Sequence, residues 1–240
     1  MSTYTDLAKI EGLSAHGTFR DYPVWRHTLA LPPQPLMGST GTDDPAIFMI
    51  VGHAWAQVAS HYAQAGASVL DIGCGCGKTA RFLTMNQNIV QYTGFDVLKI
   101  CIDWAERYIG VPTNGRFRFE HADIANQMYN PHGGTKPHAF RFPAKNASID
   151  IAIAASLFTH LLEADCAHYL SELARVLTPP GKALISIHIE PEAGTRYSGT
   201  EARIDIEPSY FESLANDAGL VVHERPGDLC GQELFVLTKA

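Results

Sequence analysis

The chain has 240 residues, 46% of them apolar, with 18 basic against 25 acidic side chains and a formal net charge of −7. That suffices for one full α/β core, and no apolar run approaches the roughly 20 residues of a membrane span. The acidic balance, with no Lys/Arg cluster, excludes the basic stripe by which nucleic-acid enzymes hold phosphates. Neither a nucleic-acid partner nor a membrane is therefore expected, and a small-molecule partner is. Residues 1–9 lack a charged stretch followed by an apolar one, so no secretory signal is read and a cytoplasmic location is expected. The five cysteines are odd in number and show no zinc-ribbon spacing, so they read as reduced thiols.

In chain order, residues 1–45 are turn-rich and irregular, and read as a cap wrapping over a ligand site. Their other role would be a contact in a homodimer. A lead-in helix is expected over about 46–65, closing an N-terminal segment of residues 1–66. From residue 67 the pattern changes. Val69, Leu70 and Ile72 read as a buried strand running into Gly73-Cys74-Gly75-Cys76-Gly77-Lys78-Thr79, and a helix with Ala80, Phe82 and Leu83 follows. Three alternating glycines allow a sharp bend and a close approach of backbone to ligand, and the helix start behind them favours a negative group.

Further strands are expected at 90–96, 116–121, 149–155, 183–189, 220–224 and 233–238, with helices between them. Such alternation predicts a mostly parallel seven-stranded sheet with helices on both faces. The last two strands, with a turn at Pro226-Gly227-Asp228, should be antiparallel. Residues 130–142 and 189–208 read as long loops near the carboxyl end of the sheet, where open α/β folds bind ligands.

The glycine loop admits three readings. A phosphate loop needs a glycine where Ile72 stands, and a dinucleotide fingerprint needs one where Lys78 stands. The observed spacing, G-x-G-x-G led by Asp71, resembles motif I of the class I S-adenosylmethionine (SAM) methyltransferases. Ser156-Leu157-Phe158-Thr159-His160-Leu161, then Arg175-Val176-Leu177-Thr178-Pro179-Pro180-Gly181, resemble the second half of that family. The resemblance covers about residues 67–240. It implies a Rossmann-like sheet, SAM as cofactor and methyl transfer as the activity. Asp96, about 20 residues beyond the loop, stands where such folds place a carboxylate on the ribose hydroxyls. The resemblance implies that Asp123 and Ile124 take the adenine. The cofactor would thus sit on Asp71, Gly73, Gly75, Gly77, Asp96, Val97, Asp123 and Ile124. Asp123 also fits an Asx-turn former.

A hydroxyl acceptor needs its proton removed, and a positioned histidine is the usual agent. His160, directly after the fourth strand, and His188, near the end of the fifth, are the candidates. The Thr159-His160 pair also fits the capping of a helix start. His53, His132 and His138 are further histidines of interest, and Tyr22, Trp25, Trp55, Tyr129 and Tyr197 are candidates for an aromatic wall. His188, Glu190, Glu192, Asp205 and Glu207 alternate in a way compatible with Mg²⁺. The fourth strand ends in Ala155-Ser156 rather than an acid, so no metal site is predicted. The expected activity is methyl transfer to a hydroxyl of a small polar acceptor such as a sugar or secondary metabolite. An N- or C-methyltransferase and a non-catalytic SAM-binding sensor or assembly subunit are the alternatives, and a nicotinamide oxidoreductase is disfavoured by Lys78.

Overall fold

The computed structural model describes residues 30–240. Helix α1 (Gln34–Gly38) leads by a short turn to α2 (Pro45–Tyr62). Asp44 caps α2 by accepting from the Ala46 and Ile47 N–H groups at 2.7 and 3.3 Å, and Pro45 fills the first helical position. The helix stops three residues before the expected 65. The Ala63 carbonyl is taken by Asn88 Nδ2 at 3.0 Å, and Gly66 turns the chain at φ +87° into the first strand.

The sheet strands are β1 (Ala67–Ile72), β2 (Ile89–Asp96), β3 (Phe117–His121), β4 (Ile149–Ala154), β5 (Leu177–Ile187), β8 (Leu220–Leu229) and β9 (Gln232–Lys239). A separate hairpin, β6 (Tyr197–Thr200) with β7 (Arg203–Ile206), lies between β5 and β8 in sequence. Helices α3 (Ala80–Leu83), α4 (Lys99–Ala105), α5 (Glu163–Val176) and α6 (Pro208–Asp217) complete the fold. The sheet order is β3-β2-β1-β4-β5-β9-β8, with only β9 running against the others.

Strand alternation sends successive side chains into two cores. Leu70, Ile72, Ala152 and Ala154 pack with Tyr169 and Leu173 of α5 and Phe211 of α6. Val69, Ile151 and Ile153 pack on the opposite face with Trp55 and Ala59 of α2, Leu83 of α3 and Ile102 of α4. Helices thus cover both faces. The chain moves from β1 outward to β3, then returns to β4 on the other side of β1. That reversal opens a crevice beyond the carboxyl ends of β1 and β4.

Two expectations need correction. The turn between the last strands is Cys230-Gly231, not 226–228. Its φ values of +57° and +85° suit the two-residue turn that matches strand twist. Pro226 and Gly227 fall instead where the β8 register shifts between Glu224 and Gly227. Residues 189–208, read as a loop, contain the β6–β7 hairpin, whose Ile204 and Ile206 are buried in the α5–α6 core. The expected segment 130–142 does lack regular strands. Arg175 on α5 anchors the chain just after it, bonding the Phe142 and Ala144 carbonyls at 3.2 and 2.8 Å while paired with Glu172 at 2.6 Å.

Candidate active site

The crevice is a cavity of about 440 Å³, within the usual span of small-ligand sites. Its walls come from the carboxyl ends of β1, β2, β4 and β5, from residues 39–42 after α1, and from the start of β9.

At one end lies the glycine loop. Gly73 and Gly75 adopt φ of +75° and +54°, which L side chains disfavour, and both line the cavity. A Cβ on Gly75 would stand 2.6 Å from Thr40 Cγ2, so the loop and residues 39–42 close on each other only because Gly75 has no side chain. Lys78 Nζ fastens the same contact by donating to the Thr40 carbonyl at 2.8 Å. Asp96 ends β2 with one carboxylate oxygen accepting the Gly75 N–H and the other the Leu98 N–H, both at 2.8 Å. Burial raises its pKa, against the lowering effect of these bonds.

Asp71, also buried, accepts from Tyr92 OH at 2.6 Å. Burial pushes its carboxyl up to about 7; the Tyr92 bond lowers it, the Asp96 charge raises it further and Lys78 lowers it. Val97 and Ile124 line the cavity.

Gly77 and Asp123 are placed differently from the expectation. Neither is in the cavity wall. A Cβ on Gly77 would lie 2.6 Å from Ile109 Cδ1, so this glycine serves close packing of the loop on the core beneath it. Asp123 is exposed, and its carboxylate accepts from Asn130 Nδ2 at 3.1 Å and Gly134 N–H at 3.0 Å. Those bonds, the Asn130 one foremost, hold its pKa low and tie down the 130s loop, as an Asx-type turn does.

At the other end both candidate histidines line the cavity. His160 Nδ1 lies 2.7 Å from the Glu201 carbonyl in the β6–β7 turn, and its ring meets Tyr129 edge-on at 5.6 Å. A carbonyl only accepts, so Nδ1 carries the hydrogen and Nε2 keeps the lone pair. The Glu201 carboxylate in turn accepts the Gln127 N–H, joining this turn to the 120s loop. His188 follows β5, and burial, then the Arg203 charge, lowers its pKa. Ser156, at the end of β4, adopts φ +56° and is exposed to the cavity; such a conformation costs a non-glycine residue on the order of 1 kcal/mol.

The remaining candidates fall elsewhere. His53 is exposed against Phe82 and Gln57, and His138 pairs with Asp165 at 3.2 Å. His132 is exposed and is not in the cavity wall. Trp55 and Tyr129 line the cavity, whereas Tyr197 OH donates to the Leu161 carbonyl. Tyr22 and Trp25, with most of the expected cap, lie outside the described residues. Asp205 is held by Arg203 and Glu207 by Arg196, and among the described residues no three His, Cys, Asp or Glu are grouped to hold a metal.

A methyltransferase-domain family profile matches residues 52–224. An O-methyltransferase of Pyrenophora dematioidea is 32% identical over 122 residues, which make up 50% of this chain and 39% of that protein. Among solved structures, the fold is shared with a TehB-like SAM-dependent methyltransferase from Corynebacterium glutamicum at TM-score 0.57 and 21% identity, covering 85% of this chain and 92% of that one. A SAM-dependent methyltransferase from Aquifex aeolicus matches at TM-score 0.58 and 16% identity, over 87% and 98% of the two chains. A glycopeptide N-methyltransferase complexed with SAM matches at TM-score 0.58 and 13% identity, over 79% and 94%. At such identities these structures share the fold.

The chain belongs to the methyltransferase-domain family and has the fold of SAM-dependent methyltransferases.

The methyltransferase cavity suits that cofactor by its donor set. Two carboxylates, the buried Asp71 and the half-buried Asp96, each keep unused lone pairs beside a glycine backbone. Asp96 would take the ribose hydroxyls, Asp71 the positively charged methionyl end, and Val97 and Ile124 the adenine faces. Sequence reasoning missed residues 39–42 and 230–232. The former carry no motif. The latter reach the site only because β9 runs antiparallel, which brings its first residue to the ligand end of the sheet.

Proposed function

We propose that this methyltransferase-family protein transfers the methyl group of SAM to a hydroxyl of a small, neutral, polar acceptor, with His160 as general base. The observation that carries this reading is the His160–Glu201 bond. In the neutral imidazole it fixes the tautomer in which Nε2 is the acceptor, on a residue that lines the cavity. Apart from the histidines, the charged side chains lining the cavity are Asp71, Lys78 and Asp96, all at the loop end. The acceptor end therefore suits a neutral molecule. The curated relative from Pyrenophora dematioidea is an O-methyltransferase and points the same way.

When bound, SAM supplies a methyl group already activated on a sulfonium sulfur, which departs as a neutral thioether. The chain's own task is alignment and proton removal. His160 Nε2 takes the hydroxyl proton while the oxygen's electron pair forms the new bond to carbon. Tyr129, edge-on to the imidazole, limits its rotation. His188, whose pKa burial lowers, stays neutral and able to accept a hydrogen bond.

The test is calorimetric SAM binding followed by methyl-transfer assays on hydroxylated sugars and phenols. His160→Gln should leave SAM affinity within about twofold and lower kcat by roughly 10²–10⁴-fold. An unchanged kcat removes His160 as the base. An absence of SAM binding in the parent protein removes the whole reading.

A further inference from the structure

Gln232 is the first residue of β9 and lines the cavity with Ser156, His160 and His188. Its amide is not free to turn. Ser186 on β5 is fully buried, and its hydroxyl oxygen accepts the Ser156 N–H at 2.9 Å. Having accepted there, the hydroxyl gives its single hydrogen to Gln232 Oε1 at 2.6 Å. Turning the amide over would leave that buried hydrogen without an acceptor, a costly outcome. The chain Ser156 N–H to Ser186 to Gln232 therefore commits the oxygen of the amide to the protein. Nε2, with its two donor hydrogens, is left for another partner. Among the described residues no side chain or carbonyl takes those hydrogens, and no buried side-chain nitrogen is left unpartnered, so Nε2 is open to a ligand.

Several features hold this group in place. Strands β5 and β9 pair Ser186 with Leu234 and Ile187 with Glu233, which sets Gln232 beside His188. The tight Cys230-Gly231 turn fixes the start of β9. Ser156 is held in its left-handed conformation from both sides, its N–H by Ser186 and its carbonyl by Thr159 Oγ1 at 2.7 Å.

We propose that Gln232 selects the acceptor by donating from Nε2 to a second oxygen on it, separate from the hydroxyl that is methylated. The acceptor class is thus a hydroxylated molecule carrying a neutral carbonyl, ether or further hydroxyl oxygen. A carboxylate is disfavoured, since the Nε2 donor is neutral and the cavity's two carboxylates, Asp71 and Asp96, outnumber its one lysine, Lys78. The proposal rests on the reading that this cavity takes a small methyl acceptor.

The experiment is acceptor binding, measured by titration calorimetry on the protein loaded with S-adenosylhomocysteine. Matched probes differ in one oxygen: 2′- and 3′-hydroxyacetophenone against 2- and 3-ethylphenol, and 2-hydroxycyclohexanone against cyclohexanol. Salicylate supplies the carboxylate arm. The parent protein should bind at least one carbonyl probe fivefold or more tighter than its partner, and tighter than salicylate. Gln232→Leu should reduce that preference below twofold. Ser186→Ala, which frees the amide to turn, should weaken it with SAM affinity unchanged. The proposal is overturned if the parent discriminates no pair, if salicylate binds best, or if Gln232→Leu keeps the preference. A protein that prefers the carbonyl probes but does not bind SAM would refute the methyl-transfer reading and leave Gln232 standing. Methyl transfer with equal affinity for both members of every pair would do the reverse.

Discussion

The buried Asp71 carboxyl makes cofactor binding pH-dependent in a direction that can be worked out. Burial holds it at about 7 instead of the usual 3.8, despite the lowering by the Tyr92 bond and the Lys78 charge. The sign for the cofactor-free protein follows from linkage. Between about pH 4 and 7 the folded state keeps a proton that the unfolded state has lost, so this group's contribution to stability falls as pH rises through that window. At neutral pH and above, the contribution amounts to a loss on the order of 4 kcal/mol, an upper figure for a site that water partly relaxes. A bound cation at the loop end reverses the preference and favours the carboxylate, so SAM binding below pH 7 releases a proton. With one such proton, the dissociation constant should be about tenfold larger at pH 6 than at pH 8, or about 1.4 kcal/mol. Calorimetry in two buffers of different ionisation enthalpy counts that proton directly. In Asp71→Asn, SAM should bind more weakly at pH 8 and the slope attributable to Asp71 should vanish. A flat affinity between pH 5.5 and 8 in the parent protein, or a slope unchanged in the variant, refutes the argument.

Other outcomes follow from contacts described above. Asp96→Ala removes the acceptor of the Gly75 and Leu98 N–H groups and should weaken SAM binding by at least about tenfold, read by the same titration. Gly75→Ala should cost about 1–3 kcal/mol in thermal or denaturant unfolding. Part of that loss should be recovered by adding Thr40→Ser, which removes the methyl that the new Cβ strikes; strictly additive effects would show that the contact is not the cause. Ser156→Gly should raise stability by about 0.5–1 kcal/mol by relieving the left-handed backbone, measured as a higher Tm. Arg175→Met should cost roughly 2–4 kcal/mol, because it strands Glu172 and two loop carbonyls in a mostly buried site.

The sheet was legible because its strands carry unmistakable patterns. Val69, Leu70 and Ile72 run straight into glycine, and Ile149, Ile151 and Ile153 alternate with smaller residues. The β6–β7 hairpin was not read, since its strands are four residues each and Gly194 and Gly199 break the pattern. The spacing of Ile204 and Ile206, both buried, was the one signal it offered. Within the site, Asp71, Asp96 and the two leading glycines could be located from the stretch of residues 69–96. Gly77 and Asp123 share the same local pattern but face the core beneath the loop and the 130s loop respectively, a difference made by neighbours distant in sequence. Thr40, Ser186 and Gln232 act only through partners 30 or more residues away, and no local pattern announces such partners.

Strand β9 sits between β5 and β8, and β8 has no other neighbour in the sheet. During synthesis, a chain that has emerged only as far as β8 must leave β5 as a bare edge, with β8 unable to join. The cavity wall is likewise open on that side, because Cys230 and Gln232 have yet to arrive. The cavity wall is therefore complete only once β9 is seated. Until then the hydrogen-bonding edge of β5 lacks its partner on that side, the kind of edge to which other chains can add.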